Sequence, residues 1–293
     1  MTPSLRFRAS RTINYWMEKF RVAWLWVPLT DFRRFSRKEI PVIASLTTYP
    51  PRISHAWTAI ETLLRQSVTP IQLLLVLNLA DFPDKKIPRK IQEQTRRGLT
   101  ILWAEKNGLS YDKLLPLRTK FPTLPIVTFD DDKYFPESLM ESIYLESRKH
   151  PKAVIGSRGW VIKAAGDLGE VHYGENWDRV ESHRLGYNLI TPGGNGCLYP
   201  PDAFDDRVDD MDQAVRVCPT ADDVWFWSAT VSRGTEIYCL GMKPHRPVAS
   251  QRDTKALSDI NEAANDGQFQ AAVDFFGIRS RVLEILSSES AAP

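Results

Sequence analysis

The sequence has few cysteines. Of its 293 residues only Cys197, Cys218 and Cys239 are cysteine, and no two of them form a CxxC pair. An odd and widely spaced set argues against both a disulfide framework and a zinc site, and it suits a reducing compartment. We therefore expect the three thiols to be small buried residues of a cytoplasmic protein.

Long apolar runs are also missing. No stretch reaches the length of about eighteen apolar residues that a membrane span requires. The N-terminus has no compact apolar core followed by a small-residue cleavage site, so a signal peptide is not expected either. The composition, with 43% hydrophobic and 25% charged residues, is otherwise that of a globular protein.

A large net charge is absent as well. The formal net charge is +2 at pH 7, so nucleic acid is not an expected partner. Nine basic and three acidic residues nevertheless give residues 1–39 a charge of +6, which leaves about −4 for the rest. Apolar residues recur there at helical spacing, namely Trp16, Met17, Phe20, Trp24 and Val27. Such a basic amphipathic helix suits the inner face of a membrane and, equally, packing on the domain; both alternatives stay open.

From residue 40, short apolar runs alternate with amphipathic segments, which predicts βα units and an α/β fold with a parallel sheet. Strands are expected at IPVIASL, QLLLVLN, LTILWAE and LPIVTFDDD, and helices at HAWTAIETLLRQ and KIPRKIQEQTRRG. The stretch YDKLLPLRTKF predicts a short helical segment broken by Pro116. Ligands of such sheets bind beyond the carboxyl ends of the strands. We divide the chain into a basic segment (1–39), a main domain (40–250, with halves 40–160 and 161–250) and a helical C-terminal appendage (251–293).

Three consecutive carboxylates, Asp130, Asp131 and Asp132, follow the fourth predicted strand in FDDDKYFP. Their mutual repulsion in a partly desolvated site is relieved by solvent, by basic partners or by a bound cation. In an extended segment the side chains of Asp130 and Asp132 point to the same side of the chain. Two carboxylates so arranged suit Mg²⁺ or Mn²⁺, which keep open coordination positions for phosphate oxygens. The plain alternative is an exposed acidic turn, in which Lys133 is solvated rather than paired.

Six segments, taken in order, resemble bacterial nucleotide-sugar-dependent glycosyltransferases of the GT-A type, particularly those that build surface polysaccharides. The segments are ASLTTYPPRI, TAIETLLRQSVTPIQLLLVLN, LSYDKLLPL, IVTFDDDKYFP, GGNGCLYPP and CPTADDVWFW, from about Ile40 to about Leu240. The resemblance implies a Rossmann-like, mixed and mostly parallel sheet flanked by helices. It also implies a DxD motif that holds Mn²⁺ or Mg²⁺ on a sugar nucleotide's diphosphate, and an acceptor half that supplies a carboxylate base.

The resemblance further assigns residues to the donor and the metal. The expected donor-binding residues are Thr47, Thr48, Arg52, Asp112, Lys113, Asp130, Asp131, Gly193, Gly194 and Asn195. The expected metal ligands are Asp132, Asp130 and His245. Within the triplet, Asp132 is the first candidate for a metal ligand, and Asp131 is the first candidate for a structural role. Each segment also has a plain structural alternative. It is an ordinary Pro-rich turn for residues 47–52, a solvated helix start for Asp112 and Lys113, a tight glycine turn for residues 193–195, and a surface position for His245. Arg158, in GSRGW, is a further candidate for a substrate contact.

The segment CPTADDVWFWSATVSRG predicts a helix with Thr220 as its N-cap and Gly234 at its end. Acidic residues favour a helix start for electrostatic reasons alone. In the family this block supplies the base that takes the acceptor hydroxyl's proton during inverting transfer. We favour Asp223 as that base, with Asp222 second. Two flanking tryptophans, Trp225 and Trp227, are expected either to stack on sugar or to pack in the core.

The sequence therefore predicts a metal-dependent transferase that moves a sugar from a nucleotide diphosphate sugar to a hydroxyl of a glycan or lipid-linked acceptor. Retention at the anomeric carbon is compatible with the same fold. The alternatives are a metal-dependent phosphoryl-transfer enzyme, a sugar-nucleotide hydrolase and a non-catalytic glycan-binding protein. Near-neutral charge and the absence of a basic stripe beyond residue 39 count against a phosphoryl-transfer enzyme that acts on nucleic acid.

Overall fold

The structure is a computed structural model, and it describes residues 37–164, 171–174, 177–248 and 264–290. The predicted amphipathic helix of the basic segment lies outside the described residues, as do residues 251–263 of the predicted C-terminal appendage. In the part of the chain that is described, no helix is long and apolar enough to cross a membrane.

Thirteen strands form within the described residues. In chain order they are β1 (Glu39–Thr47), β2 (Thr69–Asn78), β3 (Leu99–Ala104), β4 (Ile126–Phe129), β5 (Lys133–Tyr134), β6 (Val154–Gly156), β7 (Trp160–Val161), β8 (Asp178–Arg179), β9 (Arg184–Gly186), β10 (Leu189–Ile190), β11 (Asn195–Tyr199), β12 (Ile237–Cys239) and β13 (Arg246–Pro247). Eight of them make one sheet in the order β3-β2-β1-β4-β11-β6-β12-β9. Small sheets β10-β7-β8 and β13-β5 lie beside it.

The large sheet is mixed and mostly parallel. Strands β3, β2, β1 and β4 pair in parallel, which confirms the four predicted strands and their arrangement. Strand β11 is antiparallel to both β4 and β6, and β9 is antiparallel to β12, whereas β6 and β12 are parallel. The two predicted halves of the main domain therefore contribute to one sheet.

Helices cover both faces of this sheet. They are α1 (Ile53–Leu64), α2 (Arg89–Thr95), α3 (Leu115–Lys120), α4 (Leu139–Lys149), α5 (Met211–Val217), α6 (Asp222–Arg233), α7 (Asn265–Phe276) and α8 (Arg279–Ser290), with 3-10 helices at Leu109–Lys113 and Asp206–Asp209. Successive side chains of a strand point to opposite faces of the sheet, so they pack into two different hydrophobic cores. Ile43 and Leu74 pack in the core of α3, α6 and α7, while Ala44 and Leu75 pack in the core of α1, α2 and α4.

Some predicted boundaries were wrong. The fourth strand ends at Phe129, so the acidic triplet lies in the turn that follows it. The break predicted at Pro116 in YDKLLPLRTKF does separate a 3-10 helix from α3, but it falls at Leu114, and Pro116 lies in the first turn of α3, where its missing N–H costs little. Helix α6 begins at Asp222 with Ala221 as N-cap. Thr220 is not the cap, and its hydroxyl oxygen instead accepts a hydrogen bond from Gln268 Nε2 at 2.9 Å.

Other predictions were confirmed. All three cysteines are free and buried. Gly234 ends α6 in the left-handed conformation, with φ of 83°. Of the two alternatives for the tryptophans, core packing is the correct one. Trp225 is fully buried and donates to the carbonyl of Val208 at 3.0 Å, and Trp227 stacks on Phe269 with ring centroids 5.0 Å apart.

Candidate active site

A cleft of about 820 Å³ opens where β1, β2 and β4 end. Parallel strands bring their carboxyl ends to one edge of a sheet, so residues distant in sequence meet there. The cleft collects twelve of the predicted site residues, which are Thr47, Thr48, Arg52, Asp112, Lys113, Asp130, Asp131, Asp132, Gly194, Asn195, Asp222 and Asp223. Neither Gly193 nor His245 is part of its lining.

The loop that follows β1 is joined to the acidic triplet. Thr48 donates its hydroxyl hydrogen to Asp131, which is buried. Arg52 places Nη2 2.9 Å from Asp131 Oδ1 and 2.7 Å from Asp132 Oδ2. Burial raises the pKa of Asp131 to about 6, against the pull of Arg52. Asp131 thus ties the loops after β1 and β4 together.

Two lysines hold Asp130. Lys113 lies with Nζ 3.2 Å from Asp130 Oδ1 and 2.9 Å from Asp222 Oδ2. Lys133 contacts Asp130 Oδ2 and lies 3.4 Å from Asp132 Oδ1. Burial opposes ionisation of Asp130, yet the two ammonium groups hold the pKa of that carboxyl well below its usual range. Lys133 is therefore paired within the site, not solvated.

The second acidic group, Asp222 and Asp223, stands at the start of α6. Asp222 has Lys113 as its ion-pair partner, whereas Asp223 accepts the backbone N–H of Gly193 at 2.7 Å. Burial, and then the neighbouring charge of Asp222, raises the pKa of Asp223 to about 7. Two adjacent carboxyl groups with different partners are suited to different roles, and one that titrates near neutral pH is suited to moving a proton.

The predicted glycine turn connects the two acidic groups. Gly193 donates to Asp223, and the carbonyl of Gly194 accepts the backbone N–H of Asp130 at 2.9 Å. A Cβ on Gly194 would overlap the carboxylate of Asp130. Glycine is thus required at position 194 because the turn passes directly over that side chain.

Asn195 and His245 lie next to this turn. Asn195 is 5% exposed, and its Oδ1 has no hydrogen-bond partner among the described residues although the side chain lines the cleft. His245 approaches from behind, with Nε2 2.9 Å from the carbonyl oxygen of Asn195 and its ring against Phe135. Burial lowers the pKa of His245, which favours the neutral imidazole. In this geometry His245 supports the turn that carries Asn195.

Several cleft residues were not in the predicted set, namely Asn78, Asp81, Ser110, Tyr173 and Asn265. Asn78 ends the apolar run of β2, and that change of polarity is a signal that sequence reasoning had available. Its Nδ2 lies 3.5 Å from Asp112 Oδ2. Burial raises the pKa of Asp112 to about 7. Tyr173 and Asn265 come from irregular chain and from the start of α7, and no local pattern marks them.

Arg158 supplies a fourth cation to the cleft. Its guanidinium lies 4.8 Å from the centroid of the Trp160 ring, and its Nε is buried without a hydrogen-bond partner in the described part of the chain. Burial, and then the nearby Arg179, lowers the pKa of Arg158. The other three cations of the cleft are each bound to aspartate, whereas Arg158 forms no ion pair with a carboxylate of the described residues. Arg158 is thus available to an anionic ligand.

The donor atoms of the triplet suit a hard divalent cation. No group of three or more His, Cys, Asp and Glu among the described residues is arranged as a ready metal site. Among the described residues, however, the cations that contact the five aspartates of the triplet and of the start of α6 number three, namely Arg52, Lys113 and Lys133, so carboxylate groups outnumber the cations paired with them. Asp132 Oδ1 is also buried and accepts no hydrogen bond from the described residues, although Lys133 Nζ lies 3.4 Å away. Carboxylate oxygens in excess of local cations are what Mg²⁺ and Mn²⁺ prefer, so Asp130 and Asp132 fit such an ion.

Comparison with known proteins gives the fold. No protein-family model matches the sequence, and a search of curated proteins found no significant match. Staphylococcus aureus TarS 1-349 in complex with UDP-GlcNAc superposes with a TM-score of 0.53 at 13% identity, over 85% of this chain and 71% of that one. The same protein in complex with UDP gives 0.45 at 12% identity, over 70% of this chain and 59% of that one. Apo UDP-glucose pyrophosphorylase gives 0.42 at 9% identity, over 83% and 99%. The likeness to the TarS complex with UDP-GlcNAc shows that the chain has the GT-A-type, Rossmann-like fold that its resemblance to nucleotide-sugar glycosyltransferases predicted.

Proposed function

We propose that the protein is a glycosyltransferase that moves a sugar from a nucleoside diphosphate sugar to a hydroxyl of a glycan or lipid-linked acceptor, with inversion. One observation carries the proposal. Asp223, whose pKa is raised to about 7, lines the same cleft as an acidic triplet held by Arg52, Lys113 and Lys133. A base that titrates near neutral pH thus stands beside a set of carboxylates and cations suited to a diphosphate.

The transfer itself needs one base. As the acceptor hydroxyl oxygen bonds to the anomeric carbon, the bond from that carbon to the diphosphate oxygen breaks, and the hydroxyl proton passes to the Asp223 carboxylate. The N–H of Gly193, 2.7 Å from Asp223 Oδ1, fixes the orientation of the carboxylate. Asp222 is less suited to this step because its Oδ2 forms an ion pair with Lys113 Nζ at 2.9 Å.

The diphosphate is assigned to the neighbouring acidic triplet. Asp130 and Asp132 would hold Mn²⁺ or Mg²⁺, and the bound ion stabilises the charge of the departing nucleoside diphosphate. We assign Arg158 to the phosphate oxygens because it lines the cleft and has no carboxylate partner in the described residues. A buried guanidinium is well suited to this role, since it stays charged and donates several hydrogen bonds.

The nucleoside is assigned to the loop that follows β1. Thr47, Thr48 and Tyr49 line that end of the cleft, and the Tyr49 ring is exposed and available for stacking. The TarS structures contain UDP and UDP-GlcNAc, so uridine donors are the first to test.

A binding screen tests the donor assignment. We expect one of the UDP, GDP, CDP or dTDP sugars to raise the melting temperature in the presence of Mn²⁺, and we expect Asp132→Ala to abolish the rise. If no sugar nucleotide binds wild-type protein with either metal, the proposal is wrong. Release of a nucleoside monophosphate rather than a diphosphate during turnover would indicate phosphoryl transfer instead.

The membrane contact of residues 1–39 needs its own test. The 293-residue chain and a chain that starts at Glu39 are mixed with anionic liposomes and floated on a gradient. We expect only the chain that includes residues 1–38 to float if the basic segment binds the membrane surface. Equal flotation of the two chains would leave the packing alternative for this segment.

A further inference from the structure

Lys133 occupies a particular place in the acidic triplet. The four carboxylate oxygens of Asp130 and Asp132 each face a basic side chain, and Lys133 is the one that faces an oxygen of both residues. Lys113 reaches Asp130 from the side of Asp222, and Arg52 reaches Asp132 from the side of Asp131. The Nζ of Lys133 therefore bridges the two aspartates of the DxD motif, where a divalent ion shared by them would bind.

The backbone of this segment is held independently of that side chain. Strand β5, which contains Lys133, pairs with β13, and the carbonyl of Asp132 accepts the N–H of Val248 at 2.7 Å. A lysine has a flexible four-carbon stem, so its ammonium group can leave the two carboxylates while the main chain stays in place. Movement of one side chain is then enough to free the Asp130 and Asp132 oxygens.

Lys133 and a divalent ion cannot share this position. Two cations that contact the same pair of carboxylate oxygens repel each other strongly in a partly buried site. A metal ion that arrives without a diphosphate has to displace Lys133, whose charge is already neutralised by the two aspartates and whose side chain is largely buried. A metal ion that arrives with a diphosphate brings oxygens to which the displaced ammonium group can bind.

We infer that Lys133 is a tethered cation that occupies the metal position of the DxD motif and yields it to a metal ion bound together with a nucleoside diphosphate. The inference rests on the proposed donor class, and it concerns the order and coupling of binding. Lys133 holds Asp130 and Asp132 together before the donor enters. It also weakens binding of the metal alone, so that metal and diphosphate bind cooperatively.

Calorimetric titration of Mn²⁺ without any nucleotide tests this inference. We expect Lys133→Met to bind Mn²⁺ about tenfold more tightly than wild type, within the usual range of coupling between two sites. Lys133→Gln should do the same and serves in case the methionine variant folds poorly. Lys133→Arg keeps a bridging cation and should bind Mn²⁺ as weakly as wild type.

The matched control is Lys106→Met, which removes the same charge from an exposed lysine paired with Asp212 outside the cleft lining. It should leave Mn²⁺ affinity unchanged. Equal or weaker Mn²⁺ binding in both Lys133→Met and Lys133→Gln overturns the inference, as does the absence of Mn²⁺ binding in every variant. The titration contains no nucleotide, so its result is separate from the donor screen, whose failure would instead overturn the proposed function.

Discussion

The cleft contains two acidic groups whose surroundings differ. In the triplet, Asp130 is held between Lys113 and Lys133, and its pKa is held well below the usual range. In the pair at the start of α6, Asp223 has a backbone N–H as its partner, and burial raises its pKa to about 7. The same residue type is thus kept charged at one place and made ready to exchange a proton at the other, and the neighbours make the difference.

The largest expected effect comes from removing the proton acceptor. Asp223→Asn should lower kcat by about 10²- to 10⁴-fold, the usual contribution of a general base, because the amide cannot take the acceptor's proton. It keeps an oxygen for the Gly193 N–H, so donor affinity in calorimetry should stay within error of wild type. Asp222→Asn is the matched comparison. If that variant loses more activity than Asp223→Asn, the two roles are reversed.

The second effect concerns the triplet. Asp132→Ala should weaken Mn²⁺-dependent binding of the nucleoside diphosphate on the order of 10- to 100-fold, as loss of a metal-site group typically does. Titrations with and without Mn²⁺ separate this loss from general damage to the cleft. Equal affinity of wild type and variant in the presence of Mn²⁺ would remove Asp132 from the metal site.

The pH dependence of the reaction sharpens the same comparison. Asp223 acts as a base only when ionised, and its raised pKa lies near 7. kcat/KM should therefore be level above this pKa and fall about tenfold for each pH unit below it. Asp130, with its lowered pKa, stays ionised over the same pH range and therefore adds no further slope to the pH profile of kcat/KM. A profile that is flat between pH 5 and 8, roughly the window around that pKa, contradicts the assignment of Asp223.

The smallest effect concerns the turn between the two groups. Gly194→Ala places a methyl group against the Asp130 carboxylate and should lower the free energy of unfolding by about 1–3 kcal/mol, the usual cost of overpacking. Gly267→Ala, in α7, meets no atom within 4 Å and should be neutral or slightly stabilising. Urea denaturation of the two variants measures both changes. Equal stability of Gly194→Ala and wild type would show that the turn moves away easily.

Much of the fold was predictable from local pattern. Strands β1 to β4 are short apolar runs between amphipathic helices, and such runs form parallel strands because both of their faces must be buried. The end of α6 was predictable because Gly234 alone suits the left-handed position there. The start of α6 was not, since Thr220 is engaged by Gln268 of α7, which lies far along the chain.

The candidate site divides in the same way. Position after a buried strand marked Asp130 and Asp132, and the block at the start of α6 marked Asp222 and Asp223. No local pattern could assign Lys133 to a bridge between two aspartates, place His245 behind Asn195, or leave Arg158 without a carboxylate partner in the described residues. These are contacts between segments that meet only after folding.

The sequence by itself determined the alternation of strands and helices in the first half, because the spacing of apolar residues differs between the two. It also determined which acidic residues lie at the ends of strands and helices, because local residues set those ends. Only the tertiary structure decided the state of each acidic residue. Burial and nearby cations set the pKa of a carboxyl group, and both burial and the contacts of Lys113 with Asp130 and Asp222 depend on chain segments that are distant in the sequence and meet only after folding. Asp223 and Asp130 are residues of the same type, and the fold shifts their pKa values in opposite directions.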